Sequence, residues 1–164
     1  ALETSPDVLL ALDSSGADGT GSSLRVTNQE EGGVFGVAAV TTPFDVTEWS
    51  QLEFDYRMSP DVKVSLYLQI DARWYAVKLT AEQAPWDDVP VIAEVPDLTA
   101  DGEWHHAQVD LLAGLQGASE GFVPSTVSQM VISSPWESYV MCGIGGNGRG
   151  ATWWIDNFRI GPAE

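Results

Sequence analysis

The sequence predicts an all-β domain built as a sandwich of two antiparallel sheets. Three observations carry that prediction. Short apolar–polar alternations recur at roughly even spacing, enough for nine or ten strands. No stretch has the periodicity of a long helix. The breaks between runs are rich in turn formers, with 16 Gly and 9 Pro in 164 residues. Successive side chains of a strand point to opposite faces, so a half-buried strand alternates and a parallel α/β sheet does not show this pattern.

The clearest segment runs from Leu52 to Thr80. Leu52, Phe54, Tyr56 and Met58 share one phase, opposite Glu53, Asp55 and Arg57, and 59–61 (SerProAsp) breaks the run. Val62, Val64, Leu66, Leu68 and Ile70 then alternate with Lys63, Ser65, Tyr67 and Gln69. After 71–73 (AspAlaArg), Tyr75, Val77 and Leu79 oppose Trp74, Ala76 and Lys78. The phase that is not core displays Asp55, Arg57, Tyr67, Gln69, Trp74 and Lys78. Flat rings mixed with fixed polar groups differ from the Thr, Ser, Lys and Glu of a merely solvated face. The sequence is read here as successive hairpins presenting one such surface.

Before this segment, 8–12 is an apolar run expected to be the first strand, 15–22 a flexible Gly-rich loop, and 23–27 and 34–40 further strands. The stretch 42–46 is extended or a turn. After it, 81–103 loses all periodicity and carries Trp86 between Pro85 and Asp87; long irregular loops of this kind often bind. A strand is expected at 104–112, one helical turn within the Gly-rich 112–126, strands at 129–133 and 138–144 around a turn holding Trp136, and a closing strand at 151–160. Between the last two, the glycines of 145–150 mark a tight turn that needs positive φ. No repeat, charge block or linker divides the chain, so 1–164 reads as a single domain.

Composition narrows the function. Apolar residues at 44% and charged residues at 19% describe a globular chain rather than a disordered one. The net charge is −17, with 24 acids against seven bases. Phosphate backbones and anionic membrane surfaces both require cationic side chains, so nucleic acid and membrane are excluded as partners. Neutral ligands and divalent cations remain. Seven Trp exceed what packing demands, which places some of them at the surface. The lone Cys142 forms no internal disulfide and, set among Val140, Met141 and Ile144, reads as an inert core thiol. No apolar run reaches the roughly 20 residues that span a bilayer. With no signal-like segment after Ala1, the chain reads as a mature or excised fragment.

The order of motifs carries a resemblance. GlySerSerLeuArgValThr (21–27), AspValThrGluTrpSerGlnLeuGluPheAspTyrArg (45–57), the Trp74–Tyr75 hairpin, AspGlyGluTrpHisHisAlaGlnValAspLeu (101–111) and TrpTrpIleAspAsnPheArgIle (153–160) together resemble the β-jelly-roll carbohydrate-binding modules of the galactose-binding-like sandwich group. The resemblance covers about residues 8 to 160. It implies a noncatalytic, secreted or cell-surface module within a larger multimodular protein, an accessory domain of a glycoside hydrolase, binding a neutral polysaccharide or oligosaccharide. It also implies a structural calcium held at Asp13 and Asp156, with loop 15–22 supplying carbonyls. On phase with Phe158 and Ile160, Asp156 and Trp154 are expected to point inward, where Asp156 either binds the metal or accepts loop amides. An EF-hand does not fit, because Ser14 and Gly16 stand where acids are needed.

Sugar recognition combines a ring stacked on the C–H face of a pyranose with planar polar groups that bond adjacent hydroxyls. Tyr67 and Trp74 are the candidate rings, Asp55, Arg57, Gln69 and Lys78 the candidate polar contacts, and Trp86 and Trp136 candidate walls. The plainer readings are that Trp74 caps the core edge, that Asp55 and Arg57 form a surface ion pair, and that the loop tryptophans fold back as lids. Trp49, Trp104 and Trp153 read as core or sheet edge. His105 and His106 point to opposite faces of a strand and cannot share a metal. No motif marks a catalytic carboxylate pair, and Asp87–Asp88 reads as solvated surface. Two other classes stay open: a noncatalytic protein-interaction or structural module, and a jelly-roll polysaccharide lyase or hydrolase.

Overall fold

The structure is a computed structural model that describes residues 7–32, 35–80, 89–118, 121, 123, 125–134 and 146–163. Trp86, Asp87, Asp88, Trp136, Cys142 and the expected strand at 138–144 lie outside these residues. The described elements are β1 (Val8–Asp13), β2 (Ser23–Asn28), β3 (Val37–Val40), β4 (Phe44–Asp45), β5 (Gln51–Met58), β6 (Ser65–Ile70), β7 (Arg73–Lys78), β8 (Val91–Glu94), β9 (Trp104–Asp110), α1 (Leu111–Ala118), β10 (Thr126–Ser133) and β11 (Thr152–Gly161).

They form the expected two-sheet jelly-roll sandwich. One sheet has five strands in the order β1-β2-β11-β5-β9; the other has the order β3-β10-β6-β7-β8, with β4 also paired to β10. The alternation read from the sequence is the burial that results. In β5, Leu52, Phe54, Tyr56 and Met58 are at most 2% exposed, and they meet Val64, Leu66, Leu68, Ile70 and Val77 of the facing layer in one core. Trp153 is fully buried against Phe35 at 6.3 Å between ring centroids, and Phe54 stacks on Phe158 at 6.0 Å.

Two elements depart from expectation. The segment 81–103 contains β8, which pairs parallel with β7, so the second sheet is not wholly antiparallel. The Gly-rich stretch after β9 holds an eight-residue helix, longer than one turn. Its start is fixed by Asp110, whose Oδ1 accepts the Ala113 amide at 3.0 Å as an N-cap. Its place is fixed by Leu111 and Leu115, one turn apart and both fully buried.

The closing strand reverses the expected phase of Trp154 and Asp156. Trp153 and Ile155 are buried, whereas Trp154 and Asp156 point outward and are half-buried. The cause is a bulge: pairing with β5 shifts between Asp156 and Arg159, and Asn157 sits there at φ 50°. One extra residue restores Phe158 and Ile160 to the core after Asp156 has faced out. Trp49, expected at the core or a sheet edge, is 46% exposed. At the open edge of the five-stranded sheet, Leu9, Leu10 and Leu12 of β1 are also exposed.

Candidate functional site

The expected single binding surface does not exist as one face. β5 belongs to the five-stranded sheet and β6 and β7 to the other. Asp55 and Arg57 therefore face outward on one side of the sandwich, and Tyr67, Gln69, Trp74 and Lys78 on the opposite side. The segment 59–64 crosses between sheets instead of turning a hairpin. Period-two alternation reports which side chains face the core; it is silent on which sheet a strand joins.

On the six-stranded side, the outward residues near the middle are covered. Tyr67 is 3% exposed, and Ala76 and Val131, its cross-strand neighbours, are 0% and 1% exposed. Tyr67 thus offers no free ring for stacking. Gln69 is engaged by Gln129 Nε2 at 2.8 Å, and Trp74, its partner on β7, is half-buried. Lys78 lies at the far end of β7, with its ammonium 3.5 Å from Glu94 on β8.

The five-stranded side is different. Direct pairing sets Arg25, Trp154, Arg57 and Trp104 in one row across β2, β11, β5 and β9. The Trp154 ring is pinned at both ends of its polar character: Nε1 donates to Asp13 Oδ2 at 3.1 Å, and the Arg57 guanidinium lies 4.6 Å over the ring centroid. Arg57 is itself anchored, its Nε donating to the Gly102 carbonyl at 2.5 Å. Trp104 lies on the other flank of Arg57, half-buried on the edge strand. With strands about 4.8 Å apart, two rings separated by one strand stand about 10 Å apart.

The next row holds the polar groups. Asp55 Oδ1 is 2.8 Å from His106 Nδ1, and Asp55 Oδ2 accepts Asn157 Nδ2 at 2.7 Å. The carboxylate fixes the His106 proton on Nδ1 in the neutral ring, which turns Nε2 to solvent as an acceptor. A third row holds the Glu53–Arg159 ion pair. His105 points the other way, as expected, with its ring 5.6 Å from Tyr56 and its Nε2 2.9 Å from Asp101. Hydrogen bonds from the His105 ring and the Glu103 amide hold the Asp101 carboxyl below the usual range.

Sequence reasoning found Asp55 and Arg57 on this face and Trp104 at a sheet edge, but it placed Trp154 inside and missed Asn157 and His106 as polar members of the face. The available signal was Asn157 itself. Asn tolerates left-handed backbone better than other side chains, and an Asn after Asp in a strand marks a candidate bulge.

The calcium expectation meets a poor donor set. Asp13 Oδ1 accepts the Ser15 amide and hydroxyl, Oδ2 accepts Trp154, and the Ser15 and Trp154 hydrogen bonds hold its carboxyl low. Asp156 Oδ2 accepts the Ala17 amide at 3.0 Å, and Oδ1 the Asn157 amide at 2.8 Å. Loop carbonyls are used as well: Ser15 O accepts Ser23 Oγ, and Gly16 O the Gly19 amide. Calcium takes six to eight oxygens. Among the described residues no group of three acids, histidines or cysteines gathers at one point. The described residues do not fit a calcium cage; direct hydrogen bonds tie the first strand and its loop to the last.

No family profile and no curated protein matches this sequence. Solved structures do. The chain is similar to a crystal structure of a family 30 carbohydrate-binding module, with TM-score 0.57 and 19% identity over 99% of this chain and 77% of that one. It is also similar to the family 30 carbohydrate-binding module of a cellulosomal cellulase of Clostridium thermocellum, with TM-score 0.52 and 19% identity over 96% of this chain and 84% of that one. These likenesses establish the fold. Among the described residues, no helix is long and apolar enough to cross a membrane.

Proposed function

We propose that this domain is a noncatalytic carbohydrate-binding module, and that a neutral polysaccharide lies across the outer face of its five-stranded sheet. The observation that carries the reading is the row Trp154–Arg57–Trp104, two rings flanking a guanidinium on an open sheet face. A ring pinned before the ligand arrives, as Trp154 is, loses little freedom on binding, which is the condition for a stacking platform. The groups beside them match sugar hydroxyls: His106 Nε2 accepts, Asn157 and Arg57 donate, and Asp55 holds the histidine and asparagine in place. A chain of charge −17 also suits an uncharged polymer. The similar modules of known structure support the class, and the cellulase origin of one of them supports an extracellular place within a larger multimodular protein.

The experiment is affinity electrophoresis of the wild type and single variants on a panel of soluble neutral polysaccharides. Trp154→Ala and Trp104→Ala are each expected to weaken the retarding interaction by about 2 kcal/mol, roughly thirtyfold. Trp74→Ala, on the opposite face, is expected to leave retardation unchanged. Retardation lost with Trp74→Ala but kept with both other variants moves the site to the six-stranded sheet. No retardation on any glycan removes the reading altogether.

One feature of the same face bears on a hydrolase. Asp55 and Asp156 face each other across neighbouring strands, and glycoside hydrolysis needs two flanking carboxylates. Both, however, are held as acceptors by N–H donors that also shape the surface, the role of structural carboxylates. Release of new reducing ends from the retarding polysaccharide would overturn the noncatalytic assignment.

A further inference from the structure

The chain has two lysines, Lys63 and Lys78, against 24 acids. They are 15 positions apart in sequence, yet both line one groove of about 430 Å³ at the rim of the sandwich. Its apolar lining is Pro60, Val62, Leu79, Leu98 and Ala100, and no acid joins them among the described lining residues. A chance placement of the only lysines of a strongly acidic chain in the same small groove calls for a reason. The size is that of a small-molecule pocket.

The walls are anchored. The backbone of Lys63 is gripped on both sides by Asn147, whose Oδ1 accepts the Lys63 amide at 2.7 Å and whose Nδ2 donates to the Lys63 carbonyl at 2.8 Å. Lys78 is rooted between β6 and β8, and the Val95 amide bonds its carbonyl. The connection carrying Leu98 and Ala100 is tied to the core by the Thr99 amide on Tyr56 Oη at 3.1 Å. Thr80 Oγ1 is turned to the Val64 backbone, which leaves Lys63 and Lys78 as the charged residues among the described lining residues. Lys78 keeps a long contact with Glu94, and among the described residues nothing pairs with the Lys63 ammonium.

We propose that this groove binds one uronic acid unit, with the sugar's C–H face on Pro60, Leu98 and Ala100, the apolar lining residues that stay open to solvent, and its carboxylate met by Lys63 and Lys78. A pyranose bearing one carboxylate matches an apolar floor with a cationic edge. A polyanion would be repelled by the rest of the chain, so the ligand is a single acidic unit, free or as a side branch on a neutral polymer. The site is separate from the face proposed above and stands or falls independently of it.

The test is titration of the 164-residue chain, followed by calorimetry and amide NMR, with glucuronic acid, glucose and inorganic phosphate. Glucuronic acid is expected to bind with shifts around Val62, Lys63 and Leu98, and to weaken as salt is raised. Lys63→Gln and Lys78→Gln should each lower its affinity about tenfold, the worth of one charge-assisted hydrogen bond. Both variants should melt like the wild type, since an exposed ammonium adds little to stability. Trp154→Ala should bind glucuronic acid unchanged. Equal binding of glucose would reduce the groove to an apolar cleft. Equal binding of phosphate would make it a nonspecific cationic edge. Loss of glucuronic acid binding in Trp154→Ala, with retention in the lysine variants, would send the ligand to the sheet face. Each of these three results overturns the proposal.

Discussion

Asn147 shows how one side chain can do the work of a strand pairing. It is 1% exposed, and its amide copies a backbone, giving Lys63 both a donor and an acceptor where the chain crosses between sheets. Its own carbonyl accepts Asn28 Nδ2 at 3.1 Å, so the crossover, the turn before β11 and the end of β2 share one junction. The sequence marked 145–150 as a tight glycine turn and gave no sign of this clamp, because the partner lies 84 positions away. Asn147→Ala would strand two backbone groups of Lys63 and is expected to destabilise the domain by about 3 kcal/mol. Urea unfolding followed by Trp fluorescence reads that change as a lowered midpoint at constant slope. A shift of a few tenths would mean that water replaces the amide and that the junction is open.

At the scale of the element, helix α1 sets two glycines against each other. Gly114 faces β8 so closely that an added Cβ would stand 2.5 Å from the Ile92 carbonyl oxygen, whereas Gly117 has nothing within 4 Å of that position. Propensity alone favours alanine at both sites by about 1 kcal/mol. Packing reverses the sign at one of them. Gly114→Ala should push the helix off β8 and cost about 1–3 kcal/mol net, and Gly117→Ala should stabilise by about 0.5 kcal/mol near the helix end. Thermal melts of the two variants should therefore move in opposite directions. Equal and upward shifts would show that the helix can slide on the sheet. The two glycines also explain why this helix was read as a single turn: its formation rests on the Asp110 cap and on the burial of Leu111 and Leu115, which only the folded sheet provides. The bulge at Asn157 belongs to the same class, a single inserted residue that turned Trp154 and Asp156 to the opposite face from the one that strict alternation assigns.

For the whole molecule, inward and outward were legible and sheet membership was not. Leu52, Phe54, Tyr56 and Met58 were read as core from alternation and are core; Asp55 and Tyr67 were read as neighbours and lie on opposite sides of it. The distribution of charge is a further property of the whole chain, and its effect on stability has a definite sign. Asp13, Asp18, Asp45 and Asp101 each accept the amide of the residue two positions on, and hydrogen bonds, led by those from the Ser15, Thr20, Thr47 and His105 side chains, lower all four carboxyl pKa values. A lowered value in the fold means that the ionised form is held more tightly there than in the unfolded chain. The stabilisation is complete above the unfolded value of about 3.9 and is lost as pH falls through the lower folded value. Protonation of the other acids meanwhile relieves the repulsion of a chain at −17, so the melting temperature alone mixes two opposed effects. Asp18→Ala separates them, because the repulsion is nearly common to both proteins. Its melting temperature should lie below that of the wild type from pH 8 down to about 4, and the gap should narrow as the pH falls further. A gap that stays constant to pH 2 would mean that the turn needs the side-chain oxygens and not their charge.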